Sequence, residues 1–227
     1  MKRNSSKEAL AEYINENHLQ ATMNTDLPSI AELQEFEKDE FLIRSDCPSK
    51  YLYFLVKGEV VVTYADNDRT LCVGYLTPLS WLGEAASLWN LIPNCGVQSL
   101  TPCICVSISL EKYRDVLLND ILFLQNTCIL LSCKLNETDF SPKTLLEPLE
   151  MRLAKFILRY SSQNIFSFRL TTCALILNAS YRHLLRIIKE FCGKDILVKK
   201  KSSYLIQNRQ LLEKYAEDEV LKNHDNP

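Results

Sequence analysis

The sequence predicts an α+β chain in which short antiparallel strands come first and helices second. Three observations carry this expectation. The character changes from Phe36, and "FLIRSDCPSKYLYFLVKGEVVVTYADNDRTLCVGYLTPLSWLGE", from Phe41, consists of β-branched and aromatic runs separated by turn residues, the pattern of a sandwich or roll. From Leu110 the spacing turns helical, and one stretch is apolar around most of its circumference. Beyond it, a helix-turn-helix pattern leads into a basic hairpin. The expected units are 1–108 (N-terminal helices and roll), 109–140 (helical linker and dimerisation helix) and 141–227 (winged helix-turn-helix).

Residues 1–34 carry helical patterns, with Leu10, Tyr13, Ile14 and Ala21 spaced at three and four. In the roll, Gly58 interrupts two strand-like runs and Asp66-Asn67-Asp68 caps the second. "GVQSLTPCICVSIS" adds two more strands. A helical stretch follows with a break at Asn119-Asp120. From Ile121 to Leu135 only Gln125, Asn126, Thr127, Ser132 and Lys134 are polar. Such a helix must be covered on more than one side; the sheet can cover one, and a second copy of the helix is the expected cover for the other, with a fully buried monomer core as the alternative. "SPKTLLEPLE" places Pro142 and Pro148 in a hinge. The next helix presents Leu149, Leu153, Phe156, Ile157 and Tyr160 on one face.

"TTCALILNASYRHLLRIIKEF" meets the physical requirements of a helix-turn-helix. Thr171 or Thr172 can cap the first helix, and Ala174 is small where two helices cross. Asn178 falls where the turn needs a left-handed backbone, which Asn tolerates better than most residues. Ala179 packs inside the turn, Ser180 caps the second helix, and Leu184 and Ile187 point to the core. The second helix would then present Tyr181, Arg182, His183 and Arg186 to a DNA major groove, where arginine reads guanine through two hydrogen bonds. "GKDILVKKKSSYLIQN" follows as a wing, strands Ile196–Val198 and Tyr204–Ile206 around a lysine tip. Lys199, Lys200 and Lys201 would meet phosphates. The candidate DNA contacts are therefore Thr172, Ser180, Tyr181, Arg182, His183, Arg186, Lys199, Lys200 and Lys201.

Charge distribution points the same way. The 227 residues carry a net charge of −2, yet Leu145–Lys214 holds 13 Lys/Arg against 5 Asp/Glu, and the remainder 13 against 23. A basic block on an acidic body suits a polyanion met by the block alone. No apolar run approaches the roughly 18–20 residues of a membrane span, and the first twenty residues lack an apolar signal core. A cytoplasmic chain is expected, with its nine cysteines as reduced thiols, most of them packed as small hydrophobes. His18, His183 and His224 lie far apart and no cysteine has a histidine near it, so no enzyme is expected.

Taken in order, these segments resemble the CRP/FNR family of bacterial transcription regulators over roughly residues 30–212. "YLYFLVKGEVVV" looks like the family's strand–Gly–strand segment, and "WLGEAASLWNLIPNCGVQSL" like its phosphate-binding cassette with Gly83-Glu84. "RLAKFIL", "CALILNASYRHLLRIIKEF" and "GKDILVKKKSSYLI" follow in register, and "ASYRHLLRIIKEFC" is similar to the YeiL-type members. The resemblance implies a cyclic-nucleotide-binding-like β-roll (a double-stranded β-helix) and a homodimer on palindromic operators. Its implied partners are double-stranded DNA, a second copy of the chain and RNA polymerase, with no membrane.

The departures bear on the effector. In cyclic-AMP-binding members the cassette glutamate holds the ribose and an arginine ten residues later neutralises the phosphate. Here that position is Asn94, and no arginine lies between Arg69 and Arg114. The sequence argues against cyclic AMP, with Glu84 expected to hydrogen-bond backbone in the roll. Gly83, Glu84, Asn94 and Cys95 mark the candidate effector pocket. Oxygen-sensing members hold an iron–sulfur cluster through N-terminal cysteines, and no cysteine precedes Cys47. No cofactor is expected; a cluster on four of Cys47, Cys72, Cys95, Cys103 and Cys105 is the weaker alternative. In the recognition helix the family's Arg-Glu pair is Tyr181-Arg182, so a different half-site is expected. The competing reading is a ligand-sensing or protein-interaction module whose winged helix no longer binds DNA.

Overall fold

The structure, a computed structural model, describes residues 2–4, 6–66, 69–136 and 146–217. It divides into two compact units, Met1–Glu137 and Thr138–Pro227. The expected hinge at Pro142 and the Asn67-Asp68 turn lie outside the described residues.

Among the described residues of the first unit, nine strands form two antiparallel sheets. The strands are β1 (Lys2–Asn4), β2 (Ala31–Phe36), β3 (Phe41–Ile43), β4 (Tyr51–Lys57), β5 (Val60–Asp66), β6 (Arg69–Leu76), β7 (Ser80–Leu82), β8 (Gly96–Ser99) and β9 (Cys103–Ser109). One sheet has the order β1-β2-β9-β4-β7 and the other β3-β8-β5-β6. The alternation of β4 explains why both faces of the first sheet are dry. Leu52, Phe54 and Val56 pack towards helices, while Tyr53 and Leu55 face the second sheet. Gly58 joins β4 to β5 at φ +95°. A Cβ there would lie 2.5 Å from the Pro102 carbonyl oxygen and 2.6 Å from the Cys103 sulfur, so the turn admits only glycine.

The N-terminal region is less helical than its spacing predicts. Helix α1 (Lys7–Glu16) forms, capped by Ser6, whose hydroxyl accepts from the Ala9 amide at 3.2 Å. Leu10 and Ile14 are buried against the roll, but Ala21 is exposed in a 3-10 turn, Leu19–Thr22. A short α2 (Leu27–Ile30) follows, and the flanking segments become strands β1 and β2. The reason is tertiary: β2 pairs with β9 from Ala31 to Phe36, and that ladder decides the backbone.

After β9 come α3 (Leu110–Leu118) and α4 (Ile121–Asn136), which meet at 94°. Asp120 makes the corner expected at Asn119-Asp120: its carboxylate accepts the Phe123 amide at 3.1 Å and so caps the first turn of α4. Phe123 and Thr127 are buried against the roll, whereas Ile121 (70% exposed), Ile129 (63%) and Leu135 (87%) face outward. Among the described residues no single helix is long and apolar enough to cross a membrane.

The second unit contains α5 (Leu149–Tyr160), β10 (Ile165–Phe166), α6 (Leu170–Ile176), α7 (Tyr181–Gly193), β11 (Leu197–Lys199), β12 (Tyr204–Ile206) and α8 (Arg209–Ala216). Its core joins the predicted α5 face (Leu149, Leu153, Phe156 and Ile157) to Leu184, Ile187, Ile188 and Phe191 of α7. The expected two-stranded wing gains a third strand, since β10 pairs with β12.

Candidate nucleic-acid interface and effector cassette

The turn between α6 and α7 is built as its residues require. Leu177 and Asn178 donate amide hydrogens to the carbonyls of Cys173 and Leu175, and Asn178 is left-handed at φ +50°. Ala179 donates back to the Ala174 carbonyl at 2.9 Å, drawing the two helices together at the small, buried Ala174. The Ser180 hydroxyl accepts the His183 amide at 3.2 Å and starts α7. Threonine caps do not form on α6. That helix begins at Leu170 behind Arg169, which offers no side-chain cap, so Thr171 and Thr172 lie within its first turn. Phe168 packs among Phe156, Tyr160 and Phe166, which fixes where the chain enters the helix.

One residue that the sequence pattern did not single out braces this turn. Arg152 of α5 donates to the Leu177 carbonyl and, through Nε, to the Glu147 carbonyl at 3.1 Å. Burial lowers its guanidinium below the ordinary arginine value, opposed by Glu147 and Glu150. The only sequence signal is a cation on an otherwise apolar helix face.

The outer face of α7 is polar and open. Ser180, Tyr181, Arg182, His183, Leu185, Arg186 and Lys189 line a shallow concavity of about 600 Å³. The two arginines are in different states. Arg186 donates to Glu190 Oε1 at 2.9 Å, lies 2.9 Å from His183 Nε2, and stands 3.7 Å from Glu150 Oε1. For Arg186 to donate to that ring nitrogen, the imidazole must be neutral with its proton on Nδ1. Arg182 is exposed one turn earlier. On the wing, Lys199 ends β11, and Lys200 and Lys201 form the exposed tip, closed by the Lys200 amide on the Ser203 carbonyl at 2.8 Å.

In the roll, Gly83 follows β7 at φ +97°, and a Cβ would lie 3.2 Å from the Tyr51 carbonyl oxygen. Glu84 is buried, but not against backbone donors as expected. Its Oε1 accepts from Lys134 Nζ of α4 at 2.6 Å, and the same ammonium donates to the Trp81 carbonyl at 3.1 Å. Asn94 is exposed and Cys95 half-buried in the segment before β8. The cassette glutamate is thus paired to a lysine, and Asn94 stands where the sequence resemblance places a phosphate-neutralising arginine.

Among the described residues no three Cys, His, Asp or Glu side chains converge on a metal site. Cys72, Cys103 and Cys105 pack as small hydrophobes, and burial pushes the Cys72 thiol up to about 11 and Cys105 well above its ordinary value. Such thiols stay protonated, and the Cys103 thiol donates to the Thr101 carbonyl at 3.2 Å. The expectation of buried cysteines fails at Cys47, Cys128 and Cys133, which are exposed, the last two on the outward side of α4.

A double antiparallel sheet followed along the chain by a helix and then a winged helix-turn-helix is the element order of one class of transcription regulators. Residues 33–120 match the cyclic nucleotide-binding domain family. The chain is 31% identical over 192 residues to the regulatory protein YeiL of Escherichia coli O157:H7, covering 83% of this chain and 87% of that one. Three solved structures share the fold. A CooA variant from Carboxydothermus hydrogenoformans superposes at TM-score 0.69 and 14% identity, covering 95% of this chain and 98% of its own. FixK2 from Bradyrhizobium japonicum gives 0.67 and 16%, covering 82% and 97%. A CRP-family transcriptional regulator from Thermus thermophilus gives 0.65 and 14%, covering 81% and 96%. The chain belongs to the CRP/FNR family of transcription regulators.

Proposed function

We propose that the protein is a homodimeric, cytoplasmic transcription regulator that binds palindromic operators through α7 and works with RNA polymerase. The observation that carries this reading is the face of α7. A Ser180-capped N-terminus, entered from a left-handed Asn178 turn, presents Tyr181, Arg182, His183 and Arg186 to solvent beside a lysine-tipped wing. Arg182 reads a base edge; Arg186, aligned by Glu190 and His183, must exchange one of those partners for guanine or phosphate. Outward Ile121, Ile129 and Leu135 on α4 support dimerisation, because a lone helix rarely leaves such residues to water. The roll serves an effector other than cyclic AMP, or none.

A gel-shift series on the protein's own promoter region tests the reading. Arg182→Ala is expected to cost about 1–3 kcal/mol, roughly 5- to 150-fold, and to relax base preference at one position of each half-site. If the wild-type chain dimerises yet shifts no genomic DNA at low salt, the interaction-module reading replaces this one.

A further inference from the structure

The cassette glutamate already has a partner, and the partner comes from α4. Glu84 is 3% exposed, and Lys134, in the last turn of α4, reaches it across fifty residues of sequence. The lysine side chain is itself mostly buried, at 28% exposure. One ammonium satisfies both the Glu84 carboxylate and the Trp81 carbonyl, so it holds the end of β7 and the turn after it together. The Trp81 indole stacks on Phe123 at 5.4 Å and 8°, and Phe54 closes edge-on at 4.8 Å. Phe123 and Lys134 are eleven residues apart, roughly 16 Å along a helix. The start of the cassette, Trp81–Glu84, is thus fastened to both ends of α4, by a ring stack near the start of the helix and by an ion pair near its finish.

We propose that Glu84–Lys134 is an internal latch: Lys134 fills the cassette in place of an effector and holds α4 against the roll without any ligand. Lys134 is then a positioning residue for DNA binding, because α4 is the element that leads in sequence to the winged unit. This rests on the DNA-binding reading above for its consequence, though not for the latch itself. A carboxylate this buried is costly alone, so losing the lysine leaves either a strained cassette or one open to a new cation. A cyclic nucleotide would have to displace the ammonium, and the arginine that reaches the cassette, Arg114, already donates to the Leu88 carbonyl at 3.0 Å and the Ser87 carbonyl at 3.2 Å.

Two readouts on the full chain test the proposal. The neutral pair Glu84→Gln with Lys134→Met removes the latch without stranding a charge. Amide hydrogen exchange is expected to rise at least tenfold in both the cassette, 81–89, and the last turns of α4, 130–136. Operator affinity of the still-dimeric variant is expected to fall at least fivefold. In Lys134→Ala, propylammonium at tens of millimolar restores protection by replacing the missing side-chain end. Unchanged exchange in the two segments would overturn the latch, whether or not the wild type binds DNA. Exchange that rises while operator affinity stays at the wild-type value would overturn the positioning role. Tightening of wild-type DNA binding by millimolar cyclic AMP would overturn the claim that the cassette is filled. A wild type that binds no DNA at all counts against the DNA-binding reading alone, and the exchange experiment still decides the latch.

Discussion

Asp120 shows how one side chain can hold a corner. Its carboxylate accepts from the Thr25 amide at 2.7 Å, the Thr25 hydroxyl at 2.8 Å, Asn24 Nδ2 at 3.0 Å and the Phe123 amide at 3.1 Å. Burial pushes its carboxyl up, but these donors outweigh burial and hold it below the ordinary aspartate range. A folded-state value below the unfolded one stabilises the fold above the unfolded value, near pH ~4, and that stability is lost as pH falls further. Asp120→Asn is expected to cost about 2 kcal/mol at neutral pH and to flatten the acid limb, as measured by urea unfolding at several pH values. Asn178 is the second decisive residue. At φ +50° a β-branched side chain is strained, so Asn178→Val is expected to cost about 1–2 kcal/mol, and Asn178→Gly less, in the same assay. Asn178 is legible in the sequence because its place in the turn pattern is local. Asp120 is legible only as a helix break, because three of its four donors come from Asn24 and Thr25, 95 or more positions away.

At the scale of elements, α7 forms as its pattern requires, with Leu184, Ile187, Ile188 and Phe191 buried and the basic side chains outward. Helix α6 forms too, but it starts earlier than a threonine cap would allow, since an aromatic cluster sets its beginning. The mostly apolar circumference of α4 is divided: Phe123 and Thr127 inward, Ile121, Ile129 and Leu135 outward. Ile129→Asp is expected to leave the roll folded and to give a monomer in sedimentation velocity, because a charge in an apolar helix seam is not solvated there. On the DNA-binding reading proposed above, the wing is the element that supplies affinity without readout. Replacing Lys199, Lys200 and Lys201 by Ala is expected to weaken binding to all sequences alike. The logarithmic salt slope should fall by about 0.9 for each phosphate that is no longer neutralised, measured by titration at several salt concentrations.

At the scale of the molecule, the chain joins an acidic roll to a basic winged unit, the charge division that the proposed DNA binding needs. If α4 pairs as proposed, a palindromic operator with half-sites one helical turn apart, about 34 Å, is expected to bind one dimer in footprinting. A single half-site is expected to bind far more weakly. The order of strands, long helix and winged helix-turn-helix was determined by the sequence alone, because periodicity, turn residues and caps act over a few neighbours and are written in the chain. Tertiary structure alone decided four things: that residues 31–36 join a sheet, that Arg152 braces the reading turn, that Cys47, Cys128 and Cys133 are exposed, and that Glu84 is paired with Lys134. Each depends on residues far apart in sequence, where a partner's distance and burial set the energy and no local pattern records them.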